Sequence, residues 1–178
     1  ATSGSGTLGV PQAPVLKGAL ADTSPTGRGS GFATYDPATG VRALASTEKN
    51  SVSSGSAYDA APSTDNIALS LSGDTAITGH LSNTLEIRNT SGLARTVTNT
   101  GTELNAANGL LFRGNASIVL TGGQITGTAA SNSEDVVIHS INSAPAGVTL
   151  QTPISNVGVA GATAADHRQG WITFNGGG

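Results

Sequence analysis

Short bursts of alternating apolar and polar residues recur between residues 67 and 174, and they constrain the fold of this 178-residue chain more than any other feature. Each burst places two or three branched aliphatic side chains on one face of an extended segment, which is the period-2 pattern of a half-buried β-strand. Strands this short are not stable alone, so we expect each to bury its apolar face against its neighbours. The clearest bursts are Ile67–Leu71, Leu85–Ile87, Ile118–Leu120, Val136–Ile138 and Val148–Leu150.

The spacing of these apolar sets indicates how the strands are arranged. The sets return every ~15 to 30 residues, which overlaps the repeat lengths of strand-containing solenoids. Gly, Asn and Thr fill the intervening segments and let the backbone turn tight corners. An antiparallel sandwich would require more two-residue hairpin signals than this region contains. The sequence therefore predicts an all-β fold, a right-handed parallel β-helix (β-solenoid) over residues 63–178.

The composition narrows the classes of function. The 8 basic and 11 acidic residues give a net charge of −3, which is too weak and too dispersed for a nucleic-acid interface. Aromatic residues make up 3% of the chain, whereas enzyme pockets and sugar-binding platforms usually use several. No apolar run approaches the ~20 residues that cross a bilayer. We therefore expect no nucleic acid as a partner and no membrane insertion.

Cysteine and methionine are both absent from the sequence. Without cysteine there is no disulfide, thiolate metal site or cysteine nucleophile, which is typical of a secreted chain stabilised by backbone ladders. Because even an initiator methionine is missing, we expect Ala1 to follow a processing event, with excision from a longer polypeptide as the alternative.

The first 62 residues follow a different pattern. Residues 1–30 are predicted to form an extended arm, because two prolines impose extended backbone on the residues before them. Three placements are open for its apolar side chains: along a neighbouring sheet, against another subunit, or in a loosely packed leader. These side chains are Val10, Val15, Leu16 and Leu20. Residues 31–62 are predicted to contain a hairpin that turns at Asp36-Pro37, followed by a mobile surface loop from Ala45 to Pro62.

Residues 22–44, DTSPTGRGSGFATYDPATGVRAL, resemble a segment of large bacterial surface proteins with autotransporter-associated β-strand repeats. Asn108–Leu111, Leu120–Gly127 and Asp135–His139 resemble the β-helical stretches that follow this segment in those proteins, in the same order. The resemblance covers most of residues 20–155, although the glycine-threonine-leucine repeat of the family is not intact here. It implies a passenger-like parallel β-helix, exported to the surface of a Gram-negative-type bacterium and serving as a surface fibre or adhesin.

The polar residues that could carry chemistry are scattered. The histidines are His80, His139 and His167, and none has a second His or Cys at metal-ligand spacing. Alternation with Ile138 predicts that His139 faces solvent. Asp166–Arg168 is interpreted as a loop ion pair rather than part of a catalytic triad. Among the acids only Glu134 and Asp135 are close in sequence, in a predicted turn. We predict no catalytic residue, no metal ligand and no cofactor.

The leading hypothesis is a secreted structural protein, a subunit of an extracellular filament or surface fibre that assembles by non-covalent head-to-tail stacking of strands or coils. Self-association into a homopolymer is the expected interaction, and cell-surface or extracellular-matrix components are further candidate partners. The candidate assembly interface comprises Val10, Val15, Leu16, Leu20, Trp171, Ile172 and Phe174. The alternatives are an adhesin that uses a Thr/Asn/Ser-rich outer face, and a carbohydrate-binding or carbohydrate-cleaving β-helix.

Overall fold

The computed structural model describes residues 2–3, 6–22, 29–126, 136–155 and 172–176. The described chain is mostly β, with one short α-helix, α1 (Gly55–Asp59), and a 3-10 helix at Ser46–Glu48. In chain order the strands are β1 (Thr2–Ser3), β2 (Val15–Leu16), β3 (Leu20–Ala21), β4 (Gly31–Asp36), β5 (Gly40–Ala43), β6 (Asn50–Val52), β7 (Asn66–Ser70), β8 (Thr75–Ile77), β9 (Leu81–Ser82), β10 (Thr84–Asn89), β11 (Arg95–Asn99), β12 (Glu103–Ala106), β13 (Leu110–Gly114), β14 (Ile118–Thr121), β15 (Gln124–Thr126), β16 (Val136–Asn142), β17 (Val148–Leu150), β18 (Ile154–Ser155) and β19 (Ile172–Gly176).

Parallel sheets stack around an apolar core. Among the described residues, sheet I has the order β6-β7-β10-β13-β16-β19, sheet II has β8-β11-β14-β17, and sheet III has β9-β12-β15-β18. The chain visits sheets I, II and III in turn, so β7-β8-β9 form one coil and β10-β11-β12 form the next. This stack of coils in repeating register is the solenoid-like arrangement that the alternation predicts.

The register explains why the sequence repeat is loose. In sheet I the residues at positions 67, 85, 110, 138 and 174 pair in succession, so the steps are 18, 25, 28 and 36 residues. The strands keep their pairing while the connecting segments differ in length. Because loop length changes the free energy of folding only slowly, unequal coils are compatible with one continuous ladder.

The inward-facing aliphatic side chains form the core. In sheet I these side chains are at most 2% exposed and comprise Ile67, Leu69, Leu85, Ile87, Leu110 and Phe112. Sheets II and III add Ile77, Val97, Leu104, Ile118, Leu120 and Ile125. Full burial of a side chain of this size contributes about 1.5–3 kcal/mol. The stack of aliphatic columns is therefore the main stabilising term of the fold.

The corner between sheets I and II depends on Asn89, Gly114 and Asn142, which occupy equivalent positions in consecutive coils. The buried Asn89 amide donates to the carbonyl oxygens of Leu93 and Ser117 at 2.9 and 2.7 Å. Gly114 has a φ of +129°, and a Cβ at this position would overlap the carbonyl oxygen of Asn89. Side-chain amides thus satisfy the backbone of the turn, and glycine allows the neighbouring coil to approach.

A ladder of buried asparagines joins successive coils at the corner between sheets III and I. Asn108 Nδ2 donates to Asn83 Oδ1 at 2.6 Å, and Asn83 Nδ2 donates to Asn66 Oδ1 at 2.7 Å. Asn66 Nδ2 in turn donates to the carbonyl oxygens of Ala13 and Glu48, at 2.9 and 3.3 Å. The ladder therefore connects the coils with each other and with the N-terminal arm.

The arm and the hairpin pack on the outer face of sheet I. β4 and β5 form the predicted hairpin, β3 extends it as an antiparallel sheet, and β1 pairs with β2. A second apolar cluster of Ala13, Val15, Phe32, Leu44 and Leu111 fills the space between these elements and sheet I. Sheet I is thus buried on both faces at β13, which accounts for the unbroken apolar run Leu110-Leu111-Phe112.

The segment from Ala45 to Pro62, interpreted from the sequence as a mobile surface loop, contains regular structure. The segment contains a 3-10 helix, β6 and α1, and β6 extends sheet I beside β7. Helix α1 lies against β8. Tyr58 from α1 is fully buried in the core, and its ring stacks on His80 with centroids 4.5 Å apart. The segment is held on the core mainly by the single aromatic side chain of Tyr58. A single buried residue gives no periodic apolar pattern, so the sequence does not reveal this packing.

We predict that Gly114→Ala destabilises the fold far more than Gly92→Ala. Gly92 also has a positive φ, but a Cβ there meets no atom within 4 Å, so only the backbone penalty of about 1–2 kcal/mol applies. At Gly114 the overlap with Asn89 adds a further ~1–3 kcal/mol. Urea unfolding followed by circular dichroism measures the difference. Equal losses in the two variants would show that close approach at this corner is unimportant.

We predict that Tyr58→Ala lowers the free energy of unfolding by about 3–5 kcal/mol, because it empties a large buried site between α1 and sheet II. Tyr58→Phe is the matched control. It removes only the hydroxyl, which lies 3.4 Å from the carbonyl oxygen of His80, at a cost of about 1 kcal/mol or less. Urea unfolding measures both variants. If Tyr58→Ala lowered the free energy of unfolding no more than Tyr58→Phe does, the packing of α1 on the core would not contribute to stability.

Candidate assembly surfaces

The C-terminal rim of the stack consists of β17, β18 and β19. Within the described ranges each is the last strand of its sheet and pairs on one side only, with β14, β15 and β16 respectively. The free side of such a strand carries backbone N–H and C=O groups that can pair with a further strand. This rim is therefore where another chain segment could extend the ladders.

The core is less completely covered at this rim. Val148 and Leu150 in β17 continue the inward columns of Ile118 and Leu120, with which they are in register. Ile118 and Leu120 are fully buried, whereas Val148 and Leu150 are only half-buried and pack at the margin of the core. A further layer of strands would remove this remaining apolar surface from water, which favours association.

The N-terminal rim is built differently. Helix α1 covers β8, the first strand of sheet II, whereas β6 leaves sheet I with a terminal strand that pairs with β7 alone in the described part of the chain. The arm contributes to this end, because the carbonyl oxygen of Pro11 accepts from the backbone N–H of Asn66 at 2.8 Å. The carboxylate of Asp65 accepts from the side-chain amides of Gln12 and Asn50. The two rims are therefore not equivalent.

The structure places the arm residues of the predicted interface on the chain's own sheet or at its surface. Val15 is fully buried in the cluster beneath the hairpin, so it presents no surface to another subunit. Leu20 is partly buried and packs against the same cluster, and Leu16 is also partly buried. Val10 is 39% exposed. Of the placements that the sequence leaves open, packing along a neighbouring sheet therefore applies to Val15 and Leu20.

The remaining candidate residues lie in β19 or directly before it in the sequence. The backbone of Ile172 and Phe174 belongs to β19, at the C-terminal rim of sheet I, while Trp171 lies outside the described residues. The arm covers the outer face of sheet I as far as β16, where the carbonyl oxygen of Gly18 lies 2.9 Å from His139 Nε2. β19 pairs with β16 and ends the same sheet.

The prediction that His139 faces solvent is wrong. The alternation itself holds, because His139 lies on the outer face of sheet I, away from the apolar core. However, the arm covers that face, and His139 is only 3% exposed. His139 Nε2 lies 2.9 Å from the carbonyl oxygen of Gly18, and its Nδ1 has no partner among the described residues. Burial lowers the pKa of His139 below its ordinary value, although the hydrogen bond to Gly18 opposes this.

The other candidate chemical groups are separate from one another. Burial lowers the pKa of His80, and nearby Asp59 opposes the shift. Glu134, Asp135 and Asp166–Arg168 lie outside the described residues. In the described ranges no group of three or more His, Asp or Glu side chains is arranged to hold a metal ion. No helix there is long and apolar enough to cross a bilayer.

Sequence patterns did not reveal that three carboxylates of the described residues are buried, those of Glu48, Asp65 and Glu86. Glu48 is fully buried and accepts from Arg42 Nη1 and Nη2, at 2.6 and 2.8 Å. It also accepts from the backbone N–H groups of Ala45 and Gly9, and together these donors, Arg42 first, lower the pKa of Glu48 to about 2. Glu86 is buried on the outer face of sheet I. Its position between Leu85 and Ile87 shows that it faces outward, but only the fold shows what covers it.

Comparisons of the chain with protein-family models, with curated proteins and with solved structures found no match in any of the three.

We predict that stability falls as the pH is lowered through the titration range of His139. A lowered pKa in the folded state means that the unfolded chain binds the proton first, so stability present above the ordinary pKa of 6.5 is lost below it. Urea unfolding at about pH 7.5 and about pH 5.5 measures this loss. His139→Gln should show a smaller loss, because among the described histidines only His80 then contributes. An unchanged pH dependence in the variant would contradict the assignment.

Proposed function

We propose that this chain is a secreted structural protein, a subunit of an extracellular filament or surface fibre that assembles non-covalently and head to tail. The observation that carries the proposal is the C-terminal rim, where terminal strands with one neighbour each coincide with half-buried core aliphatics. A rim of this kind favours strand addition, because pairing and burial of apolar surface occur together.

The N-terminal rim restricts the mode of contact. Sheet I has a terminal strand at each end, so β19 of one copy placed beside β6 of the next would continue one parallel ladder. Stacking of whole coils would require α1 to leave β8, with loss of the Tyr58 packing. We therefore favour strand addition through sheet I, in which α1 of the next copy stays on its own β8 and covers the half-buried Val148 and Leu150 of β17. Such a contact joins different surfaces of two copies. It produces an open filament unless the rotation between successive copies closes a ring.

We further infer that the coils wind as a right-handed parallel β-helix, because about 98% of parallel strand crossovers are right-handed. The resemblance of residues 22–44 and of the later β-strand segments supports a relationship to bacterial surface proteins with autotransporter-associated β-strand repeats. Export to the surface of a Gram-negative-type cell is the location that fits this relationship and the absence of cysteine.

A second candidate, an adhesin, is favoured by the outer face of sheet II. The outward positions of this face include Thr96, Thr98, Thr121 and Thr149, with Thr98 and Thr121 paired in register. This gives a surface of hydroxyl and methyl groups that can bind other molecules without strong charge. Glycan-array binding that persists in an assembly-deficient variant would favour the adhesin over the filament subunit.

We predict that wild-type protein forms filaments at high concentration and that Leu150→Lys prevents this. A lysine on the inward face of β17 would place a charge on the surface that the next copy must bury. Thr149→Lys is the matched control, since it adds the same charge to the exposed outward position of the same strand. Negative-stain electron microscopy and light scattering measure assembly, and circular dichroism checks the fold.

Two results would count against the proposed assembly. Wild-type protein that stays monomeric at high concentration would remove the filament. Assembly of Leu150→Lys to the same extent as Thr149→Lys would show that the C-terminal rim is not the contact surface.

A further inference from the structure

A cluster of three cations surrounds the buried carboxylate of Glu86 on the outer face of sheet I. Lys49 Nζ lies 3.2 Å from Glu86 Oε2, and Arg88 Nη2 lies 2.7 Å from Glu86 Oε1. Arg113 Nη1 is 3.5 Å from the same Oε1 atom and also donates to the carbonyl oxygen of Ser30, just before β4. The cluster thus lies where the hairpin meets sheet I.

The positive charge of this cluster exceeds its negative charge. Burial would raise the pKa of Glu86, but Lys49, Arg88 and Arg113 outweigh it and lower the pKa, so the carboxylate is ionised at neutral pH. Three cations around one carboxylate leave a formal charge of +2. Glu48, which precedes Lys49 in the sequence, is engaged by Arg42 and by two backbone N–H groups.

Arg88 and Arg113 are directly opposite each other in the parallel register of β10 and β13. Like charges at such positions repel, because neighbouring strands are only ~4.8 Å apart. Glu86 Oε1 already accepts from Arg88 Nε and Nη2 and faces Arg113 Nη1, so its acceptor capacity is used. In the described part of the chain the hydrogen bonds of the two side chains use Arg88 Nε and Nη2 and Arg113 Nη1.

The side chains of the two arginines are partly exposed. The Arg88 and Arg113 side chains are 35% and 30% exposed, whereas Glu86 beneath them is 1% exposed. Guanidinium forks bind the oxygen atoms of carboxylate, sulfate and phosphate groups in a bidentate manner. Salt also screens the attraction between an anion and these cations less in a partly enclosed site than at an open surface.

We propose that Arg88 and Arg113, with Lys49 beside them, form a binding site for an oxyanion group, either a free inorganic anion or a sulfate or carboxylate carried by an acidic polysaccharide. The bound anion neutralises the surplus charge and relieves the repulsion between the paired arginines. Glu86 holds the guanidinium groups in position and leaves their outer N–H donors for the ligand.

The test uses the full chain and three probes: inorganic sulfate, dextran sulfate, and uncharged dextran as the matched polymer control. Isothermal titration calorimetry at low ionic strength should show binding of dextran sulfate and no binding of dextran. Binding of sulfate as well would show that the site accepts a free anion, whereas binding of dextran sulfate alone would assign the site to polymers. Absence of binding by both sulfate and dextran sulfate would overturn the proposal.

Arg88→Gln is the decisive variant, because Arg88 contacts Glu86 but not the hairpin in the described structure. We expect it to weaken binding about tenfold, the loss of one charge-assisted bidentate contact. Arg88→Lys keeps the charge but not the fork and should give an intermediate loss. Arg95→Gln is the charge-matched control, since Arg95 lies in β11 of sheet II and contacts Ser91.

An equal loss in Arg95→Gln and Arg88→Gln would show that net charge, rather than this site, controls binding, and would overturn the proposal. Circular dichroism and urea unfolding check that each variant remains folded. Filament assembly is measured in the same samples. Arg88 lies on the outer face and not at a rim, so loss of anion binding and loss of assembly are separate observations.

Discussion

Register between neighbouring coils is the constraint on which the rest of this structure depends. Side chains alternate between the two faces of a strand, so a slip of one residue in any ladder reverses which face each one occupies. A slip in β10 would place Glu86 where Leu85 or Ile87 lies, among fully buried aliphatic side chains. Burying a carboxylate without its cations costs several kcal/mol. The aliphatic columns thus fix the core and also the position of the charges outside it.

The inward residues of this fold could be predicted from the sequence because they depend on a local property. Leu85 and Ile87 alternate with Glu86, and any strand in which they are buried must direct Glu86 outward. The corners could not be located in the same way. Asn89 and Gly114 occupy equivalent positions although their residue types differ, because one supplies an amide for the turn and the other makes room for the adjacent backbone. Asn and Gly serve many kinds of turn, so neither identifies this one.

What covers an outward face depends on contacts between distant parts of the chain. His139 and Gly18 are 121 residues apart, and nothing near either position predicts their hydrogen bond. Tyr58 is similar, because a lone aromatic residue in a polar segment gives no periodic signal, yet it seals the core beside His80. Alternation therefore predicted the direction of His139 correctly and its exposure wrongly. The apolar residues of β19 could be recognised in the sequence. The difference between the two rims could not, because it depends on the packing of α1 against β8.

The filament and the anion site would reinforce each other if both are present. In an assembly through sheet I, each copy adds the layers from β6 to β19, so the cationic cluster would recur once per subunit at a spacing of roughly 30 Å. A single site of this type binds one anionic group weakly, because exposed ion pairs contribute about 1 kcal/mol or less. A polymer that carries many such groups could occupy successive sites at once, and each later contact would be intramolecular. A fibre would then bind acidic polysaccharide far more tightly than its isolated subunit, with no new contact.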